Sequence, residues 1–271
     1  MNMLESILYP PPPSLFINAM SAATVILLAN SGISEVRGRN MAYSKFSNWK
    51  EAVSGKSSST ITGTKASGRT AMLLVYSPAL AAALASFFIP GVVTTPRQAL
   101  VSAALGVHFL KRVLEILFIH KFSGNMMVDS AIPITFSYFA NTVLIIVSQY
   151  LSTGMPEPDI NLTYAGILLF FIGITGNFYH HYLLSKLRER GDKAYKIPTG
   201  GLFNLVICPH YLFEIIDLFG IALISQTLHS YCFAFGSMFY LMGRSVATRN
   251  WYMSKFENFR TGVKALVPYI F

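Results

Sequence analysis

Four otherwise apolar stretches of this chain carry side chains able to donate, accept or hold a proton. His108, Lys111, Arg112 and Glu115 recur at offsets of three, four and seven, which places them on one helix face. Gly176-Asn177-Phe178-Tyr179-His180-His181-Tyr182 runs into the basic Lys186, Arg188 and Arg190. In Cys208-Pro209-His210-Tyr211-Leu212-Phe213-Glu214 the spacing stacks His210 on Glu214, so the carboxylate is expected to orient the imidazole. Tyr211 beside them is a phenol suited to giving a proton to a developing enolate. Arg244 lies deep in the last apolar stretch and needs an anionic partner, for which a phosphate is suitable; Arg249, Asn250, Trp251 and Tyr252 follow it. An ionisable group at mid-membrane depth costs roughly 2.5–3.5 kcal/mol, so this many point to a working cavity rather than an inert bundle. Adjacent histidines project about 100° apart on a helix, so His180 and His181 are not expected to share an ion, and no metal site is predicted. Cys208 and Cys232 form neither a disulfide framework nor a zinc motif.

The elements that must hold these groups are long apolar runs. Of 271 residues 53% are apolar and 12% charged, and mean hydropathy is +0.48, whereas soluble domains carry about 25% charged residues. Seven candidate spans follow: Ser14–Asn30, Met72–Val93, Arg97–Ile119, Ala131–Ser152, Thr163–Leu187, Leu202–Ser225 and His229–Asn250. The expected fold is therefore an all-α integral membrane protein with about seven transmembrane helices. Basic residues cluster in the Ser31–Thr70 segment, around Lys186–Lys196 and in the tail, which predicts a lumenal N-terminus and a cytoplasmic C-terminus. Ser31–Thr70 itself is rich in Ser, Thr and Gly and reads as a solvent loop without a core. The start, Met1–Ser14, has no Lys or Arg, so the first span is expected to be retained. Asn161-Leu162-Thr163 is a glycosylation sequon abutting a helix start. The net charge of +9 is spread over the short connections, where orientation in a membrane accounts for it and nucleic acid is not required.

Together these residues predict a bundle cavity lined by Arg, Lys, His, Tyr and Asn. Such a cavity suits a phosphate-rich soluble cofactor, while the bilayer delivers a lipid substrate from the side. No GxGxxG joins a strand to a helix, so a nucleotide would bind between helices.

Lys196-Ile197-Pro198-Thr199-Gly200-Gly201-Leu202-Phe203, the Pro209–Glu214 motif and the ending Tyr252–Phe271 with Leu266-Val267-Pro268 together resemble the steroid 5α-reductase family. That family includes very-long-chain enoyl-CoA reductases and polyprenol reductases, and the likeness runs over Val107–Phe271. It implies a multi-pass enzyme of the endoplasmic reticulum membrane that passes hydride from NADPH to the β-carbon of an enone or enoyl thioester, followed by protonation. By position it implies cofactor contacts at Asn177, Arg188, Tyr195, His210, Glu214, Arg244 and Tyr252, and a basic partner for the extra phosphate among Arg188, Lys193 and Lys196. The chain then divides into a substrate side, 1–106 with the basic loop 31–70, and a reductase core, 107–271.

Two departures bear on the chemistry. The steroid branch polarises its ketone with a Glu on the second helix and a Tyr on the third, but Tyr76 and Phe109 stand here. The enoyl-CoA branch places a Lys and a Tyr as its proposed catalytic pair, and Lys111 and Tyr211 match them. The resemblance thus implies Tyr211 as proton source and carbonyl polariser, assisted by Lys111 or Tyr76. It leaves open whether the substrate is a steroid, an enoyl thioester or a polyprenoid, and leaves partners in a lipid-elongation complex unassigned. The alternative is an S-adenosylmethionine-dependent lipid methyltransferase, which would carry paired acidic residues near its C-terminus; this chain offers Glu257 there.

Overall fold

The computed structural model describes residues 6–41, 43, 46, 64–122, 124–187 and 195–271. Among these residues seven long helices carry the fold: α1 (Leu15–Val36), α2 (Gly68–Ala85), α3 (Pro96–Leu114), α4 (Val128–Leu151), α5 (Thr163–Lys186), α6 (Pro209–Ser225) and α7 (Leu228–Lys255). Their starts follow local chemistry. Ser14 caps α1 through its hydroxyl, and Thr95 with Gln98 forms a reciprocal capping box at α3, where Pro96 supplies a preset first turn. The sixth apolar run yields a helix only from Pro209, which likewise starts a helix well; Gly201–Asn204 ahead of it forms a short 3-10 turn. α3 passes into a π-helical turn, Glu115–Ile119. A two-stranded antiparallel ribbon, β1 (Lys65–Ser67) with β2 (Asn125–Met127), ties the entry of α2 to the entry of α4 and adds a little sheet to an expected all-α chain.

Among the described residues four helices, not about seven, are long and apolar enough to cross a membrane: α1, α2, α4 and α5. This makes the chain a multi-pass membrane protein and corrects the expected count. α6 has only 17 residues. α3 includes Arg97, Lys111 and Arg112, and α7 includes Arg244, Arg249 and Lys255. These helices spend part of their faces on charge, which an apolar span cannot carry at low cost. A lumenal N-terminus with a cytoplasmic C-terminus needs an odd number of crossings, which four spans do not supply.

Packing is tightest between α5 and α6 and between α1 and α7. Both pairs meet at glycines. A Cβ on Gly173 would overlap the backbone of Asp217, and one on Gly243 would overlap the carbonyl of Gly32. Such approach maximises backbone contact between helices in a membrane, where apolar burial gives little drive. At the end of the bundle remote from the site described below, Gln226 caps α6 in a left-handed conformation with φ 51°. Its amide donates to Ile7 O and Ile160 O and its carbonyl accepts from Leu162 N and Arg97, joining four chain segments.

The largest departure within the N-terminal part concerns the segment read as a solvent loop from Ser31. α1 continues to Val36 and carries Glu35 into the interior. Arg244 of α7 donates through Nη1 to both Glu35 oxygens at 2.9 and 2.8 Å. Its guanidinium is stacked 4.0 Å from the Tyr43 ring centre and 4.1 Å from that of Phe46. Glu35, Asn40 and Phe46 of this segment are therefore buried in the interior, while Arg37, Gly38 and Arg39 are exposed, and residues 42, 44–45 and 47–63 lie outside the description. Removing one member of a buried pair strands the other charge. Glu35→Ala is expected to destabilise the protein by about 3–5 kcal/mol, measured as unfolding in mixed detergent; a loss below about 1 kcal/mol would show that the pair is dispensable.

Candidate functional site

The site grows from the single carboxylate of Glu115, placed at the start of the π-helical turn and 1% exposed. Its Oε1 accepts from Lys111 Nζ at 2.9 Å and its Oε2 from Arg112 Nη1 at 3.1 Å. His181 Nδ1 of α5 lies 3.0 Å from the same Oε2, so that nitrogen carries the proton and Nε2, 3.3 Å from Arg112 Nη1, is left as acceptor. Burial pushes the Glu115 carboxyl up, but hydrogen bonds from His120 and His181 and the charge of Arg112 outweigh it and hold it well below the usual carboxylate range. Burial, with Arg112 adding to it, lowers the Lys111 ammonium. Glu115, His120 and His181 bring ligand atoms within 4.8 Å of one another. Lys111 and Arg112 already hold both carboxylate oxygens there, and their charges would repel a divalent ion.

From this hub two cations reach outward. Lys111 donates also to Asn177 Oδ1, and Asn177 Nδ2 donates to His210 O at 2.8 Å, so α3 and α5 jointly fix the first turn of α6. Arg112 Nη2 donates to Tyr76 Oη of α2 at 2.7 Å. Behind α6, His108 pairs with Asp217, both buried. His180 Nδ1 bonds Gly176 O at 2.7 Å, and its Nε2 accepts from Leu202 N at 3.1 Å. That ring thereby anchors the turn after Gly200 and Gly201, which both adopt positive φ (87° and 51°).

Two cavities open against these elements. The smaller, about 210 Å³, is polar and lies among His120, Lys121, Tyr195, Lys196, Arg244 and Tyr252. The larger, about 410 Å³, lies among Met72, Tyr76, Arg112, Tyr138, Glu214 and Tyr240. His120, Lys121, Leu184, Tyr195, His210 and Tyr211 line both, so the cavities adjoin at the first turn of α6. The smaller is built wholly from residues beyond Ile119, whereas the larger takes Tyr43, Gly68, Met72 and Tyr76 from the N-terminal part.

The sequence-predicted residues fall into three groups. Tyr211, Tyr195 and His210 sit at the junction, Tyr76 and Glu214 face the larger cavity, and Arg244 and Tyr252 face the smaller. Lys111 and Asn177 are not on either wall; they stand behind it as a brace, each already engaged by protein partners. Arg188 and Lys193 lie outside the described residues. The expected bond from Glu214 to His210 is not made: among the described residues the Glu214 carboxylate, 5% exposed, accepts no hydrogen bond. The anion that Arg244 requires is Glu35, which the sequence reading had left in a loop. Tyr43, Tyr138 and Tyr240 were also missed on the larger cavity's wall, with Tyr43 and Tyr240 joined hydroxyl to hydroxyl at 2.9 Å.

Comparison with known proteins bears on this arrangement. The 3-oxo-5-alpha-steroid 4-dehydrogenase family profile matches residues 128–271. The steroid 5-alpha-reductase of Gossypium hirsutum is 40% identical over 108 residues, covering 40% of this chain and 42% of that protein. The human 3-oxo-5-alpha-steroid 4-dehydrogenase 2 is 39% identical over 106 residues, covering 39% and 42%. The very-long-chain enoyl-CoA reductase of Dictyostelium discoideum is 31% identical over 167 residues, covering 60% and 55%. The likeness thus spans about half or less of these relatives' lengths. The family match takes in α4 to α7 and with them most of the smaller cavity's wall and part of the larger one's, and on that match the chain belongs to the 3-oxo-5-alpha-steroid 4-dehydrogenase family.

Proposed function

We propose that this protein reduces a carbon–carbon double bond conjugated to a carbonyl in a lipid, with NADPH as reductant, in the membrane of the endoplasmic reticulum. The observation that carries the reading is the junction of a small polar cavity with a larger, tyrosine-rich one at His210 and Tyr211. Two substrates of opposite character need two compartments that meet where the reacting atoms meet. The aligned stretches in relatives named for steroid and enoyl-CoA reduction add support.

The residues present fit NADPH. Glu214 is a buried carboxylate on the larger cavity's wall without a hydrogen-bond donor among the described residues, and the carboxamide N–H of a nicotinamide reaching through the junction from the smaller cavity would satisfy it. Lys121 and Lys196 on the smaller cavity's wall suit phosphate, and Tyr195 and Tyr252 offer ring faces and hydroxyls beside them. When bound, the cofactor supplies hydride to the β-carbon. The chain's own residues do the remainder. Tyr211, at the junction, is placed to deliver a proton to the α-carbon side once hydride has arrived. The Asn177 amide holds the His210 carbonyl and with it the position of Tyr211. Lys111, with donors to Glu115 and Asn177, is assigned here a bracing role, beside the catalytic one that the resemblance implied. The four apolar helices support a bilayer setting, from which a lipid would enter the larger cavity. In favour of a division into a substrate side, 1–106, and a cofactor core, 107–271, the residues of 1–106 line the larger cavity alone, although most of that cavity's wall comes from 107–271.

Purified protein in lipid nanodiscs is expected to oxidise NADPH with a 3-keto-Δ4 steroid, a long trans-2-enoyl-CoA or a polyprenal, the α,β-unsaturated aldehyde of a polyprenol, giving the saturated product by mass spectrometry. Tyr211→Phe should lower kcat by about 10²- to 10⁴-fold; oxidation with none of the three would overturn the reading. Glu214→Gln should raise the KM for NADPH about tenfold while leaving the KM for the lipid unchanged. A change confined to the lipid's KM would move Glu214 to the substrate side.

A further inference from the structure

The His180 side chain on α5 lines neither cavity, yet both of its ring nitrogens are spent. A carbonyl oxygen can only accept, so Nδ1, 2.7 Å from Gly176 O, carries the proton, and the lone pair of Nε2 receives Leu202 N–H at 3.1 Å. The tautomer is thereby fixed. The ring, 3% exposed, stacks on Phe213 of α6 at 5.2 Å and meets Phe203 and Tyr179 edge-on at 5.5 and 5.2 Å. Every element packed on it therefore presents an aromatic ring, and among the described residues no charged side chain bonds to it. The neighbouring His181 faces Glu115 and Arg112 instead. Gly201 shows how close the fit is: its φ is +51°, and a Cβ there would stand 2.8 Å from Nε2.

What this ring holds is one wall of the smaller cavity. The turn it anchors ends the segment 195–204, whose Tyr195, Lys196 and Pro198 line that cavity. The Tyr195 ring rests on Trp251 of α7 at 4.8 Å, and beyond the turn Ile207 N donates to Lys264 O at 2.9 Å. Between those ties the Leu202 N–H bond to His180 joins the segment to α5. A proton on Nε2 would set one N–H against another, in an aromatic cage that supplies no carboxylate to the new charge.

We infer that His180 is a positioning residue for the cofactor: in its neutral form it holds Tyr195 and Lys196 at the smaller cavity, and a proton on Nε2 releases them. The assignment rests on the reductase reading, in which that cavity takes the phosphates of NADPH. One proton and one cofactor then oppose each other through the same ring. Affinity for the cofactor is full where His180 is neutral and falls as pH drops, and bound cofactor in turn resists the proton. Because His180 lines neither cavity, saturating cofactor restores turnover, so the effect lies in KM and not in kcat.

The test measures NADP⁺ binding to the full chain in nanodiscs by calorimetry between about pH 8 and about pH 5.5, across the ordinary range of histidine. His180→Gln places a non-titrating oxygen near the position of Nε2, whereas His180→Ala removes the acceptor. The wild-type dissociation constant should rise about tenfold more over this range than that of His180→Gln, whose own rise reports the ligand's phosphates and the other groups. At about pH 8, His180→Gln should bind within about threefold of the wild type and His180→Ala about tenfold more weakly. With NADPH and lipid, His180→Ala should raise the KM for NADPH about tenfold and change kcat less than about threefold. Thermal unfolding of each variant separates loss of fold from loss of the wall. A His180→Gln curve that follows the wild type, or a His180→Ala loss confined to kcat, would overturn the assignment and leave the reductase reading in place. Wild-type protein that binds no NADP⁺ at any pH would overturn both.

Discussion

Glu115 is the point on which the interior depends. A carboxylate this deeply buried is tolerated only when its lone pairs are filled, and here Lys111, Arg112 and His181 fill them. The dependence is mutual, since two cations on consecutive positions of α3 could not share a buried site without that carboxylate. Each cation keeps donors beyond those Glu115 uses. Lys111 spends one on Asn177 and so fixes the start of α6, and Arg112 spends one on Tyr76 and so fixes a hydroxyl of α2. One carboxylate thereby registers four helices around the place where the two cavities meet. Ordinary helical spacing puts Glu115 against Lys111 and Arg112, and the π-helical turn that starts there, closed by His120 N donating to Glu115 O at 2.7 Å, places the His120 ring 3.7 Å from the same carboxylate.

The same economy explains why three of the helices are too short or too charged to read as apolar spans. α3, α6 and α7 carry Lys111, Arg112, Glu214, Asp217 and Arg244 in buried or largely buried positions, and their apolar content is correspondingly lower. α1, α2, α4 and α5 carry the long apolar stretches. A continuous hydropathy reading counts both kinds alike when a segment has enough Leu, Ile, Phe and Ala between its charges, and that is how seven spans were inferred. The distinction lies in which face each charge occupies, which becomes visible only once the partners are known.

Local periodicity and short-range motifs were legible. The 3.6-residue spacing of His108, Lys111, Arg112 and Glu115 identified one face correctly, and Pro209 marked where α6 begins. Long-range pairing was not. Glu35 and Arg244 are 209 residues apart, and Glu35 sits in a stretch dominated by Arg37, Arg39 and Lys45, so nothing local distinguishes it from a loop residue. With that partner unseen, Arg244 looked free for a phosphate. Likewise the i, i+4 spacing of His210 and Glu214 is compatible with a bond, but the orientation of α6 turns Glu214 into the larger cavity instead. Lys111 and Tyr211 were read as a pair from resemblance, and they are linked only indirectly, through Asn177 and the His210 carbonyl. Spacing fixes which residues share a face; it does not fix which neighbour that face meets.

The central claim is that hydride crosses from the smaller cavity to a lipid in the larger one at Tyr211. The most direct measurement follows NADPH carrying deuterium at its transferable position, in ordinary water, into the product of whichever unsaturated lipid turns over. The account predicts one deuterium at the β-carbon and, in the converse experiment with deuterated water and ordinary NADPH, one deuterium at the α-carbon. Deuterium from NADPH appearing in the solvent, or at the α-carbon, would contradict it.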